Sequence, residues 1–352
     1  MYIVIAIVAF GVLVAVHELG HFLAAKLLGV KVNEFAIGMG PKLISKQRGE
    51  TTYSLRALPI GGFCAMEGED GDSEQTDPRA FCNKKIPSRF LILIAGSFMN
   101  FLVGFLIVLI LFSGRAYYAQ PVLTGFMDGF PLEGETGLME GDRIVSIDGH
   151  HVGTVEEVTL YLSRGNGETA DVVVRRDGKR VKLDDLELKL REYETEDGTE
   201  LKYGLYFKTV ESSFGELVRQ TWNNSIYFVK MVRMGLSDLL TGAARVKDLS
   251  GPVGIVSMIN EVGQSSPTRS AALWSVAYLI AFIAVNLSVM NMLPIPALDG
   301  GRIFVMLVTW VIEKIIRRKL NPKVEGYIHG AGLVLLLALM AYVMFNDIVK
   351  LF

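Results

Sequence analysis

The stretch His17-Glu18-Leu19-Gly20-His21 sets two imidazoles four positions apart, with a carboxylate beside the first. On a helix, positions i and i+4 share one face a turn apart, so both rings can offer a nitrogen to one metal ion. Glu18 falls about 100° round the helix and reaches a water at that ion rather than the ion itself. This is the layout of a metal hydrolase. A catalytic zinc takes three protein ligands and keeps one position open, so a further ligand must come from elsewhere in the chain.

The surroundings narrow the search. His17, Glu18 and His21 lie inside an apolar run from about Tyr2 to Leu28, where an uncompensated polar group is expensive, so its partner must be buried too. Another apolar segment leads into such a group: Asp299 follows 28 uncharged residues, Ala271 to Leu298, and is preceded by Pro294 and Pro296. Those prolines cannot sustain a regular helix, and an interrupted helix persists in hydrocarbon only where protein or a water-filled cavity satisfies the freed backbone groups. A broken helix ending in a carboxylate reads as a site; the plainer alternative is that Asp299 caps a following helix through Gly300 and Gly301.

The elements that must position these residues are membrane helices. Of 352 residues 51% are hydrophobic and 20% charged, and the net charge of −2 offers no basic excess for a nucleic-acid partner. Besides the first run, Phe90 to Phe112, Ala271 to Leu298 and about Ile328 to Phe345 approach or exceed the roughly 20 residues that cross a bilayer. The first basic residue is Lys26, so the first run lacks the start of a secretory signal and is expected to be retained. Lys26, Lys31, Lys42, Lys46, Arg48, Arg56, Lys84, Lys85 and Arg89 flank the first two spans, and Lys314, Arg317, Arg318, Lys319 and Lys323 lie between the last two. By the positive-inside rule both loops face the cytoplasm, with the termini and about Ser113 to Ser270 outside. Cys64 and Cys82 form neither a disulfide framework nor a metal clip, and are read as reduced.

Between the spans the chain changes character. From Gln120 to about Lys208 it is polar and strand-like, with hairpin turns at Asp148-Gly149 and Asp177-Gly178. "GLMEGDRIVSIDGHHV" resembles the PDZ domains of bacterial envelope proteases, with a short helix expected to end at Gly141-Asp142; His150 and His151 at its turn are simplest as solvated residues. Ser212 to Leu240 reads as an amphipathic helix, either on the membrane surface or packed on its own domain. In the loop after the first span, Glu50 to Phe63 alternates like a strand until Pro59 and Gly61-Gly62. That is either an ordinary surface hairpin or an open edge able to take up an extended backbone.

HELGH at His17 to His21 and "NLSVMNMLPIPALDGG" carry a resemblance to a known family. With "IGMGPKL" from Ile37, "GETTYSLRALPIGGF" from Gly49 and "LSGPVGI" from Leu249, the chain resembles the site-2 protease family of intramembrane zinc metalloproteases, nearest its regulator-of-sigma-E branch with one PDZ domain. The resemblance implies one Zn2+ held by His17, His21 and Asp299, Glu18 as general base, and Asn286 and Asn291 near the substrate. Gly96 to Asn100 matches a family stretch that usually has proline where Ser97 stands, which leaves Asn100 without an assigned role. An added substrate strand along Thr51, Thr52, Tyr53, Ser54 and Leu55 would hold the unwound segment. Substrates would be single-span proteins, such as anti-sigma factors or leftover signal peptides, already trimmed on the outside.

The expected architecture is a polytopic α-helical membrane protein with four transmembrane helices, an inserted extracytoplasmic PDZ-like α+β domain and a membrane-associated β-hairpin. Its parts are 1–112 (membrane core), 113–210 (PDZ domain), 211–270 (surface connector) and 271–352 (membrane core), in the bacterial cytoplasmic membrane. Two other readings stay open. A membrane-tethered PDZ adaptor with a structural or vacant metal site has no use for Glu18, and a protease with zinc in an exposed domain would need its third ligand in a soluble segment. Nothing in the residues fixes the oligomeric state.

Overall fold

A computed structural model describes residues 1–69, 77–165, 167–195, 198–318 and 322–350; Lys319 of the last loop lies outside them. In chain order the elements begin with α1 (Tyr2–Leu27), β1 (Val32–Arg48), β2 (Thr51–Met66) and α2 (Ile86–Ser113). They continue with β3 (Tyr117–Phe126), β4 (Arg143–Ile147), β5 (His150–His151), α3 (Val155–Arg164), β6 (Ala170–Arg176), β7 (Lys179–Leu186), β8 (Arg191–Thr195), β9 (Gly198–Lys202) and β10 (Leu205–Glu211). The remainder is helical: α4 (Phe214–Thr241), α5 (Pro252–Ser265), α6 (Arg269–Asn291), α7 (Asp299–Ile316) and α8 (Pro322–Lys350). Two compact units result, 1–108 with 228–352 and 109–227, whose limits lie inside α2 and α4.

In the first unit α1, α2, α6 and α8 have the length and apolar composition to cross a membrane. Small residues let their backbones approach. A Cβ on Gly20 of α1 would run into the Ala95 carbonyl of α2, and one on Gly104 of α2 would stand 2.9 Å from the Ala281 carbonyl of α6. The expected third span is shorter than read: α6 stops at Asn291, and the proline-containing turn up to Leu298 folds back on the start of α7. Gly300 packs there against the Met292 carbonyl and Gly301 against that of Ile295, contacts that leave no room for a side chain. Ala297 takes a left-handed φ of 78° in that turn, a conformation that costs a non-glycine residue about 1–2 kcal/mol.

The hairpin departs most from expectation. β1 was not foreseen, and β2 continues through Gly61-Gly62 to Met66 instead of ending there. Thr51 to Leu55 pairs on one side with Arg48 back to Ile44, while Thr52 to Leu55 also runs in step with Glu34 to Ile37. Val32 to Ile37 in turn pairs with Met66 back to Gly62. The two bent strands thus make four ranks, with 51–55 in the interior. The edge expected at Thr51–Leu55 is not open, because both sets of its backbone groups are already paired. Its outer ranks are 42–48 and 62–66.

The second unit contains a sheet ordered β10-β3-β4-β6-β7, with β5 on β4, and β8 and β9 form a separate hairpin. Both predicted two-residue turns form: Asp148 and Gly149 have φ of 48° and 76°, and Asp177 and Gly178 of 47° and 79°, the left-handed pair such hairpins require. No helix precedes Gly141-Asp142; the stretch is a series of turns. There Asp142, fully buried, accepts from the Met139 amide at 2.9 Å and from both ends of the Arg176 guanidinium at 2.9 and 2.7 Å. His150 and His151 are exposed, and His150 stacks on Tyr161 at 5.0 Å.

Candidate metal centre

Residues far apart in the chain converge at one point in the first unit. His17 Nε2 and His21 Nε2 stand 3.2 Å apart, and Asp299 Oδ2 lies 3.1 Å from the first and 3.3 Å from the second. Donors about 2.0–2.1 Å from a tetrahedral zinc stand about 3.3 Å from one another, so the triangle has the size of a zinc site with one face left open. Asp299 Oδ2 is a buried acceptor with no hydrogen bond, and no other group of three metal-binding side chains gathers among the described residues. The residues present fit the ion.

Local sequence explains the convergence. The i, i+4 spacing on α1 stacks the two rings edge to face, centroids 4.8 Å apart. Behind them α2 presents Gly96: a Cβ there would overlap His21 Nε2 and come within 2.8 Å of His17 Cε1. Asp299 opens α7, whose first turn favours a carboxylate through its unpaired N–H groups.

Outer contacts set the tautomers. His21 Nδ1 is 2.8 Å from the Ile92 carbonyl, which only accepts, so Nδ1 carries the proton and Nε2 keeps its lone pair for the centre. Asn291 at the end of α6 has its amide nitrogen 3.5 Å from His17 Nδ1; turned over, the same amide would set its oxygen there and favour the tautomer found for His21. Asn286 is half-buried, more than a turn back along α6 from Asn291 and about 140° round it. Asn100 is buried in α2 with Oδ1 unpartnered.

Glu18 lies within electrostatic reach of both histidines, Asp299 and Glu69. The hairpin touches it through Gly62, expected only as the place where a strand ends: a Cβ there would be 3.5 Å from Glu18 Cγ and 2.8 Å from the Ala36 carbonyl. The signal was present, since glycine within a strand marks a close backbone approach. Thr51 to Leu55 serve the hairpin itself. Thr51 donates to the Val32 carbonyl at 2.7 Å, Ser54 to Glu34 at 2.6 Å, and Tyr53 meets the Phe22 ring edge-on at 5.8 Å, while Thr52 and Leu55 are held by the pairing described above.

A multi-pass helical fold with a His-His-Asp triangle and an adjacent glutamate defines a membrane metalloprotease. The comparisons agree: the model of peptidase family M50 matches residues 5–339. The chain is 37% identical over 350 residues to a protein of Clostridium acetobutylicum named as a candidate zinc metalloprotease, covering 99% of this chain and 97% of that one. It is 36% identical to a similarly named protein of Clostridium perfringens, covering 99% of each, and 28% identical to the zinc metalloprotease RasP of Geobacillus kaustophilus, covering 98% of this chain and 97% of that protein. The chain belongs to peptidase family M50, the site-2 proteases. It is an intramembrane zinc metalloendopeptidase with Zn2+ as its cofactor.

Proposed function

We propose that His17, His21 and Asp299 hold the zinc ion and that Glu18 is the general base, the reading carried by the three donor atoms 3.1 to 3.3 Å apart with Glu18 beside them. Zinc bound there supplies Lewis acidity and brings a coordinated water's pKa near neutrality. Glu18 takes a proton from the attacking water as oxygen adds to the substrate carbonyl carbon. It then delivers that proton to the amide nitrogen as the C–N bond breaks. Asn291, next to His17, steadies the ring and is in place to donate to the substrate backbone; Asn286 is assigned no part.

The substrate is the membrane-spanning segment of a single-span protein, already trimmed outside. A helix hides its amides in its own hydrogen bonds, so the segment must be extended before attack. The rank 62–66, beside Glu18, is the edge on which an extended segment would lie, in place of Thr51–Leu55. Basic residues in the loops after α1 and α7 support a cytoplasmic position for the hairpin, with the second unit outside the bacterial cytoplasmic membrane as a PDZ-like gate. In α4 the polar Gln220, Thr221 and Ser225 are buried while Phe214, Val218 and Trp222 are exposed, which supports that helix lying on lipid.

The test is cleavage of a single-span substrate lacking its outer portion by the purified full chain and by Glu18→Gln, with zinc measured on both. A variant that keeps its zinc and loses activity by about 10²–10⁴-fold is expected; a zinc-loaded variant that cuts at the wild-type rate removes Glu18 from the mechanism.

A further inference from the structure

Asp347 is a carboxylate near the end of α8, unused by the metal centre and the hairpin. It is 3% exposed, and its Oδ2 accepts from the backbone N–H of Gly251 at 2.9 Å and of Gly254 at 2.8 Å. Gly251 is the N-cap of α5 and brings no side chain to cap it, and Pro252 has no N–H to satisfy. A residue of α8 therefore fills the role a cap residue would play in the chain itself, with the α5 dipole favouring its charge. The seat is close: a Cβ on Gly251 would come within 2.9 Å of Oδ2, and one on Gly254 within 3.0 Å of Oδ1. Asn346, the preceding residue, donates to the Lys247 carbonyl at 2.6 Å, so the end of α8 is fastened twice to the segment that opens α5.

What α5 touches gives this fastening a consequence. Ile255 and Ile259 pack in one apolar cluster with Ala6 and Leu13 of α1 and Leu287 of α6. Leu13 is one turn before His17 and Leu287 one turn before Asn291, so the cluster ends where the metal centre begins. At its far end Gly263 lies flat against the Tyr2 ring, where a Cβ would be 2.5 Å from the ring carbons. Meanwhile α8 is the least buried of the four long apolar helices, and near its start Gly332 presses on Pro296 of the turn that precedes Asp299.

We propose that Asp347 is a positioning residue for the metal centre: by capping α5 from α8 it holds the α1–α5–α6 cluster against which His17 and Asn291 are set. It acts through α5 and touches neither metal nor substrate. The inference rests on the reading of His17 and its neighbours as the catalytic site.

The experiment compares full-length wild type, Asp347→Ala, Asp347→Asn and the lipid-facing control Leu335→Ala in detergent. Hydrogen–deuterium exchange is followed over 249–256 and 10–21, along with zinc content and kcat and KM on the trimmed single-span substrate. In Asp347→Ala, exchange over 249–256 rises roughly tenfold or more, because buried N–H groups lose their acceptor. Exchange over 10–21 rises with it, kcat falls about tenfold, and KM and zinc content hold. Asp347→Asn keeps an acceptor oxygen and shows the same pattern at about threefold, which preserves the test if the alanine variant does not accumulate. Unchanged exchange over 249–256 overturns the cap, and fast exchange with wild-type kcat overturns the positioning role. Glu18→Gln leaves exchange over 249–256 untouched, so failure of the catalytic reading is distinguishable from failure of this one.

Discussion

At the scale of single residues, the centre is held as much by a missing side chain as by those present. Gly96 lies where any Cβ would overlap the two imidazoles. Gly96→Ala should stabilise α2 as an isolated helix by about 1 kcal/mol, since alanine is the better helix former. In the folded protein the opposite is expected: the rings are pushed apart, and zinc affinity falls at least about tenfold along with activity. Zinc titration of the purified variant against a competing chelator decides it. Wild-type affinity in Gly96→Ala would mean that α2 does not fix the rings. His21 is fixed on its other side, its Nδ1 proton held by the Ile92 carbonyl at 2.8 Å. His21→Gln keeps a polar side chain but loses the ring nitrogen, and loss of stoichiometric zinc is expected by elemental analysis.

At the scale of elements, the hairpin shows what the sequence conveys and what it conceals. Long apolar runs announced α1, α2 and α8, and Pro294 with Pro296 announced the break before Asp299, because each is a local property of the chain. The pairing of 51–55 on both sides was not legible, since a strand's alternation says which face is buried and nothing about how many neighbours flank it. β1 hid for a related reason: Gly38 and Gly40 take φ of 86° and 83° and fold it over, which breaks the alternation. The charge network in this fold was also invisible. Glu34 accepts from Ser54 at 2.6 Å, Arg56 at 2.9 Å and Lys42 at 3.0 Å, linking three ranks. Burial raises its pKa, but the Ser54, Arg56 and Lys42 hydrogen bonds outweigh it and hold the carboxyl at about 2. A depressed carboxylate pKa contributes stability that is complete above the ordinary value of about 4.3 and is lost as pH falls toward 2. Amide exchange over 34–56, corrected for intrinsic rates, should therefore be flat from pH 7 to about 5 and rise only below that. Arg56→Ala should already exchange faster at pH 7 and show a smaller further rise in acid, because less of the depression is left to lose, and a rise already under way at pH 6 would show that another group governs the hairpin.

For the whole molecule, the division into two compact units makes a claim about independence that a mutation can test. The second unit is tied together by a pair distant in sequence: Asp142, fully buried, and Arg176, which also donates to the Glu135 and Gly137 carbonyls at 3.0 and 2.7 Å. Breaking a buried pair by removing one partner costs about 3–5 kcal/mol, and because the Arg176 side chain keeps 17% exposure about 2–3 kcal/mol is the better expectation. The Arg176→Ala variant should lose exchange protection over 143–186 by roughly 30- to 150-fold, the factor that energy represents. If the units are separate, the same variant keeps its zinc and its protection over 10–21, because the proposed ligands His17, His21 and Asp299 and the cluster residues around them lie in 1–108 and 228–352. Activity then separates two roles for the second unit. Faster cleavage of an untrimmed substrate, at unchanged rate on a trimmed one, is what a loosened gate produces, whereas equal loss on both would make the unit part of the catalytic scaffold.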